Sequence, residues 1–198
     1  MSQEKEEKRV LGLTKKQRSH AYTILFLIAF AIFFFVNNDF SDAKSGPYPP
    51  NYEAKINPAS RVEARLFQLP EVSGDTINLD DYKGKIVVLD FWATWAAPCR
   101  EAIPGLIELK DKYPADKVEI IGISLDTDSK EMVPSFVEQF KINYPVVYGD
   151  MNIARQYGDI QSIPTTVILD KKGRIYSSYI GSMDKSVYTK DIDKLLEE

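Results

Sequence analysis

The sequence predicts an α/β domain, a mixed β-sheet with helices on its faces, and three features carry that expectation. Residues 85–92 (KIVVLDFW) and 118–125 (VEIIGISL) are near-continuous apolar runs of strand length, the mark of central strands covered on both sides. Each leads into a helical pattern, as α/β sheets require. Further on, residues 165–170 (TTVILD), the turn Lys171-Lys172-Gly173 and residues 174–180 (RIYSSYI) read as an antiparallel hairpin before a last helix.

The body of the domain starts near Arg61. Residues 64–69 and 76–79 flank the turn at 71–75 and read as a short N-terminal hairpin. Asp81-Tyr82-Lys83-Gly84 then turns the chain into the first central strand. After that strand, residues 100–113 put Ile103, Leu106, Ile107 and Leu109 on one helical side, and Pro104 is expected to kink this helix by removing a backbone bond. Asp126-Thr127-Asp128-Ser129 offers caps for a helix running to about Phe140. A short strand at 144–147 and a short helix at 151–157 follow. Residues 184–196 close the chain as a helix. The basic plan is thus extended by the N-terminal hairpin and by a central insertion.

Ahead of the domain the chain changes character. Residues 1–20 carry six basic and three acidic side chains, so a chain of net charge −4 is +3 there and −7 elsewhere. An acidic body has no reason to seek nucleic acid. Residues 21–36 (AYTILFLIAFAIFFFV) are uncharged, and as a helix would extend about 24 Å. That is close to the apolar thickness of a bilayer. With Lys15, Lys16 and Arg18 before it, the segment 21–38 is expected to be an uncleaved transmembrane anchor or a signal, with residues 1–20 cytoplasmic. The chain is then single-pass in a bacterial inner (cytoplasmic) membrane, its domain facing the periplasm or exterior. Residues 39–60 hold Pro47, Pro49, Pro50 and Pro58, and read as an extended stalk without strand or helix period. Residues 61–198 form the domain.

With one cysteine, Cys99, and one histidine, the chain cannot close an internal disulfide or fill a four-ligand zinc shell. Cys99 follows Trp95-Ala96-Ala97-Pro98 at the carboxyl end of a central strand, where such sheets expose sites. A helix starting there offers unpaired N–H groups and a positive dipole end, which favour a thiolate. The other reading is a small buried apolar residue. Asp90, inside the strand, is expected to be a buried acid with a raised pKa, suited to proton transfer. Trp92 and Trp95 bracket the loop, one toward the core and one partly exposed.

These residues resemble the thioredoxin fold, and within it the membrane-anchored thiol-disulfide oxidoreductases related to bacterial cytochrome c maturation. The matching pieces are residues 84–95 (GKIVVLDFWATW), Pro98-Cys99-Arg100, Pro104, residues 118–126 and residues 163–175 (IPTTVILDKKGRI). The resemblance implies a Trp-Cys-x-x-Cys site in which the first cysteine attacks a substrate disulfide and the second resolves it. Cys99 holds the resolving position and Ala96 the attacking one. A methyl group has no ionisable proton, so the chain as it stands cannot complete that cycle. An engineered replacement, a natural loss and a non-standard nucleophile read as alanine all give this sequence.

By the same resemblance, Asp90 relays the proton of the resolving thiol, and Pro164 is cis and faces the site. Ile163 and Thr165 flank it along an extended substrate, with Trp95 and Pro98 opposite. The implied partners are oxidised protein or peptide thiols, apocytochrome c among them, an upstream membrane dithiol carrier, and the bilayer through residues 21–36. No cofactor is implied. Members of the cytochrome branch carry a glutamate three positions after the second cysteine; here Ala102 stands there. Two other functions fit a thioredoxin fold with Ala96: a non-catalytic module that binds extended peptides, and a peroxidase using Cys99.

Overall fold

A computed structural model describes residues 52–55 and 60–198. The expected basic segment, the anchor and most of the stalk lie outside these residues. Among the described residues no helix is long and apolar enough to cross a membrane.

A six-stranded sheet forms the centre. Its strands are β1 (Tyr52–Lys55), β4 (Ile86–Trp92), β5 (Val118–Ser124), β6 (Val146–Tyr148), β7 (Thr165–Leu169) and β8 (Ile175–Ile180), in the order β1-β8-β7-β4-β5-β6. β4, β5 and β6 run parallel, and β7, β8 and β1 pair antiparallel. The mixed sheet expected from the sequence is therefore present, with the two apolar runs adjacent at its centre. Every residue of β4 and of β5 is buried.

Alternation along β4 divides the core. Ile86, Val88 and Trp92 face α1 (Ala97–Lys112), α2 (Val133–Phe140) and α4 (Lys185–Glu197), against Ile103, Leu106, Phe136 and Ile192. Val87, Leu89 and Phe91 face the opposite layer, with Ile153 of α3 (Met151–Gln156), Tyr157 and Phe67. Successive strand residues point to opposite faces, so a run apolar at every position serves two cores at once.

Several boundaries differ from expectation. Within residues 64–69 only the end is strand: β2 is Gln68–Pro70, pairing with β3 (Thr76–Asn78), while Ala64 and Phe67 turn inward as core residues. The hairpin docks on the β6 edge through a Glu71–Val147 bridge and the Val72 N–H to Val146 C=O bond at 2.9 Å. Part of the expected stalk is β1, which pairs with β8 from Tyr52 opposite Ile180 to Lys55 opposite Ser177. Edge pairing is made by backbone groups, so no side-chain period announces it. The central insertion is α2 with β6, which adds the third parallel strand.

The stretch after β5 is corrected as well. Asp126 does not cap α2, which begins at Val133 behind a short 3-10 turn, Lys130–Met132. Its carboxylate is taken by the neighbouring loop instead.

Candidate functional site

The site forms where β4 ends beside the start of β7. Phe91 pairs with Thr165, so the loop 93–96 leaving β4 and the loop 162–164 entering β7 lie at the same end of the sheet. Ala96 is the N-cap of α1, with no side chain able to accept a bond, and Pro98 lies in the first turn, where its missing N–H is harmless. The helix thus starts three residues earlier than its apolar pattern shows. Its buried positions Cys99, Ala102, Ile103, Leu106 and Leu109 make one stripe.

That stripe determines the environment of the thiol. Cys99 is 1% exposed and Ala96 6%, whereas Trp95 is 66% exposed and Ala97 and Pro98 are also exposed. The two tryptophans divide as expected, Trp92 in the core against Phe136 at 5.0 Å between ring centroids, and Trp95 in solvent. Of the two readings open for Cys99, its burial favours the small buried residue over the helix-stabilised thiolate. Burial pushes the Cys99 thiol up to about 12; a hydrogen bond with the Ala93 backbone opposes this, and the charges of Asp90 and Asp126 add to it. Desolvation outweighs the dipole because the side chain lies on the inward stripe.

Asp90 sits beneath the helix, on the face shared by Val88 and Trp92. It is 1% exposed, and burial raises its pKa to about 7 against a lowering hydrogen bond from Thr166. Thr166 Oγ1 lies 3.3 Å from Asp90 Oδ1 and 3.2 Å from the Tyr188 hydroxyl. The acid is therefore buried with a hydroxyl partner and not solvated at the strand end.

The Ile163–Pro164 peptide bond is cis. Around it the Thr165 hydroxyl donates to Ser162 C=O at 2.7 Å, and Gly181 N–H donates to Pro164 C=O at 2.8 Å. Ile163 is half-buried, and among the described residues no backbone hydrogen bond engages it. Ala102 is buried on the α1 stripe and Glu101 points to solvent, so no carboxylate from this turn approaches Cys99.

Sequence reasoning missed the polar frame of the loop. Thr94, Asp126, Ser129 and Arg100 hold residues 93–96 in place, and Thr166 and Tyr188 complete the environment of Asp90. The signal available was a buried-strand exit, Ser124-Leu125-Asp126, ending beside Ala93-Thr94-Trp95 in a parallel pair. Such a pair brings the two exits together.

Fold and site together define a thioredoxin-like protein of the thiol-disulfide oxidoreductase kind. The chain belongs to the AhpC/TSA family, whose model matches residues 61–178. It is 35% identical over 133 residues to the thioredoxin-like protein YneN of Bacillus subtilis, covering 66% of this chain and 77% of that one. It is 38% identical over 125 residues to the thiol-disulfide oxidoreductase ResA of Bacillus anthracis, covering 62% and 70%. Among solved structures, a secreted thiol-disulfide isomerase of Corynebacterium glutamicum superposes with a TM-score of 0.67 at 26% identity, covering 74% of this chain and 92% of that one.

Proposed function

We propose that this domain is an extracytoplasmic, membrane-tethered module of the thiol-disulfide oxidoreductase class, directed at oxidised protein segments, in which Ala96 leaves recognition without the covalent step. The observation that carries this reading is the pairing of Ala96 with Cys99. The scaffold of a dithiol site is present, yet the attacking position is a methyl group and the remaining thiol is shielded at 1% exposure. Recognition uses exposed Trp95 and Pro98 and the backbone at half-buried Ile163, onto which an extended client adds as a strand. Thr165 fixes that loop through Ser162.

With a thiol at position 96 the chemistry would close. Its thiolate attacks one sulfur of the client disulfide and releases the other as a thiolate; Cys99, its proton passed to Asp90, then attacks the mixed disulfide and releases the second. The client disulfide is reduced, the 96–99 pair is oxidised, and an upstream membrane dithiol carrier returns the two electrons. Residues 21–36 would hold the domain at a bacterial inner membrane, facing the periplasm or exterior. Apocytochrome c is one such client, although Ala102 removes the carboxylate that marks the cytochrome branch. A peroxidase use of Cys99 is disfavoured by its burial, its pKa near 12 and the absence of a hydroxyl at position 96.

The test is Ala96→Cys in the full chain. The variant should reduce insulin with a dithiol donor while the parent chain does not, and an inactive, folded variant overturns the oxidoreductase reading.

A further inference from the structure

We propose that Asp126 is a positioning residue of this site, a carboxylate that fixes the loop bearing residues 95–99 by gripping Thr94. Donors from three segments converge on one buried side chain. Asp126 lies just beyond β5 and is 3% exposed. One of its oxygens accepts the Thr94 hydroxyl at 2.6 Å and the Ser129 hydroxyl; the other accepts the Thr94 N–H at 3.0 Å and the Ser124 hydroxyl at 2.9 Å. The remaining polar atom of Thr94, its C=O, accepts from Arg100 Nη1 at 3.1 Å.

Thr94 is thus tied at N–H, hydroxyl and C=O, to the end of β5 on one side and to the first turn of α1 on the other. It stands one residue before exposed Trp95 and two before Ala96. A buried acceptor cannot exchange its hydrogen bonds for water, so the four that converge on Asp126 hold their donors to it. The grip therefore keeps the loop closed over Cys99 and presents Trp95 from a rigid base. In a recognition site that rigidity lowers the ordering cost of binding a client. Its importance for recognition rests on the function proposed above; the grip itself does not.

Two substitutions in the full chain separate the hydroxyl from its packing. Thr94→Val removes the hydroxyl at nearly constant volume and Thr94→Ser keeps it. Labelling of Cys99 by iodoacetamide should rise roughly ten- to a hundredfold in Thr94→Val and stay at the parent rate in Thr94→Ser, because a local opening exposes the thiol. The anisotropy of Trp95 emission should fall in the valine variant alone. Unchanged labelling, or a rise matched by an equal loss of global stability, overturns the proposal.

A second measurement needs no variant. The Thr94 amide should exchange with deuterium as slowly as the amides of β4, and exchange at the rate of an exposed loop overturns the grip. In the Ala96→Cys background, Thr94→Val should lower kcat/KM for insulin reduction about tenfold. An active Ala96→Cys protein indifferent to Thr94→Val refutes the positioning role and leaves the oxidoreductase reading standing. An inactive one with the labelling as expected does the reverse.

Discussion

Thr166 on β7 donates its hydroxyl to the Asp90 carboxyl on β4 at 3.3 Å, directly across the antiparallel pair in which the two residues are register partners. This gives the buried acid a hydroxyl partner on the face that also holds the Tyr188 hydroxyl. One neutral hydrogen bond does not repay the desolvation of a carboxylate, and the acid is held near neutrality in pH.

A sign follows for stability. In the unfolded chain Asp90 loses its proton near 3.8, and in the folded chain near 7. Between these values the folded state binds the extra proton, so stability falls as pH rises through the window and stays at its lower level above it. Asp90→Asn removes this dependence. It should be indistinguishable from the parent near pH 3.5 and more stable above pH 8 by up to about 4 kcal/mol, read from urea melts at the two pH values.

The thiol should be inert. A pKa of about 12 against an ordinary 9.0 leaves Cys99 roughly a thousandth of the usual thiolate near pH 8. Iodoacetamide labelling of the native chain should be at least that much slower than labelling of a free cysteine. The urea-unfolded chain should react at the ordinary rate.

Client binding should be weak, reversible and independent of that thiol. Cys99→Ala should leave the affinity for an oxidised client peptide unchanged, whereas Pro164→Ala together with Ile163→Ala should weaken it. Titration followed by NMR should shift resonances of 95–99 and 162–165 together. An abundant mixed disulfide at Cys99, or shifts on the opposite face alone, contradicts the groove.

Gly122 faces Asp90 from the other flanking strand and has no room for a side chain. A Cβ there would stand 2.9 Å from Trp92 Nε1 and 3.2 Å from Tyr144 Cε2. Neither ring can swing away inside the core. Gly122→Ala should destabilise the domain by about 1–3 kcal/mol in a urea melt through overpacking.

Arg61 opens the domain and is tied to its far end. Its buried guanidinium donates to Asp170 at 3.1 Å and to both carboxylate oxygens of Glu198 at 2.8 and 2.9 Å. Arg61→Ala leaves Asp170 with Arg174, at 2.7 Å, as its remaining charged partner, beside the backbone N–H groups of Lys172 and Arg174. A loss of about 3 kcal/mol is expected in the same measurement.

Much of this protein was legible in its residues. Two uninterrupted apolar runs declare central strands, because only a strand covered on both faces has no use for polar alternation. The hairpin at 165–180 declares itself by its turn, and Ala96 states in one letter that residue 96 carries no nucleophilic side chain. A charge gradient followed by sixteen uncharged residues likewise needs no fold to be read.

Other features exist only in three dimensions. The strand at Tyr52–Lys55 is made by the free edge of β8, and backbone pairing leaves no trace in side-chain pattern. The burial of the thiol depends on which side of α1 faces the sheet, and desolvation there opposes the first-turn dipole that sequence position promises. Asp126 looks like a helix cap because caps are local; its actual partner, Thr94, is 32 residues away and arrives through the parallel pairing of β4 with β5. Residue types and local spacing determine which strands and helices can form. The long-range contacts that place charges in or out of water are decided by packing.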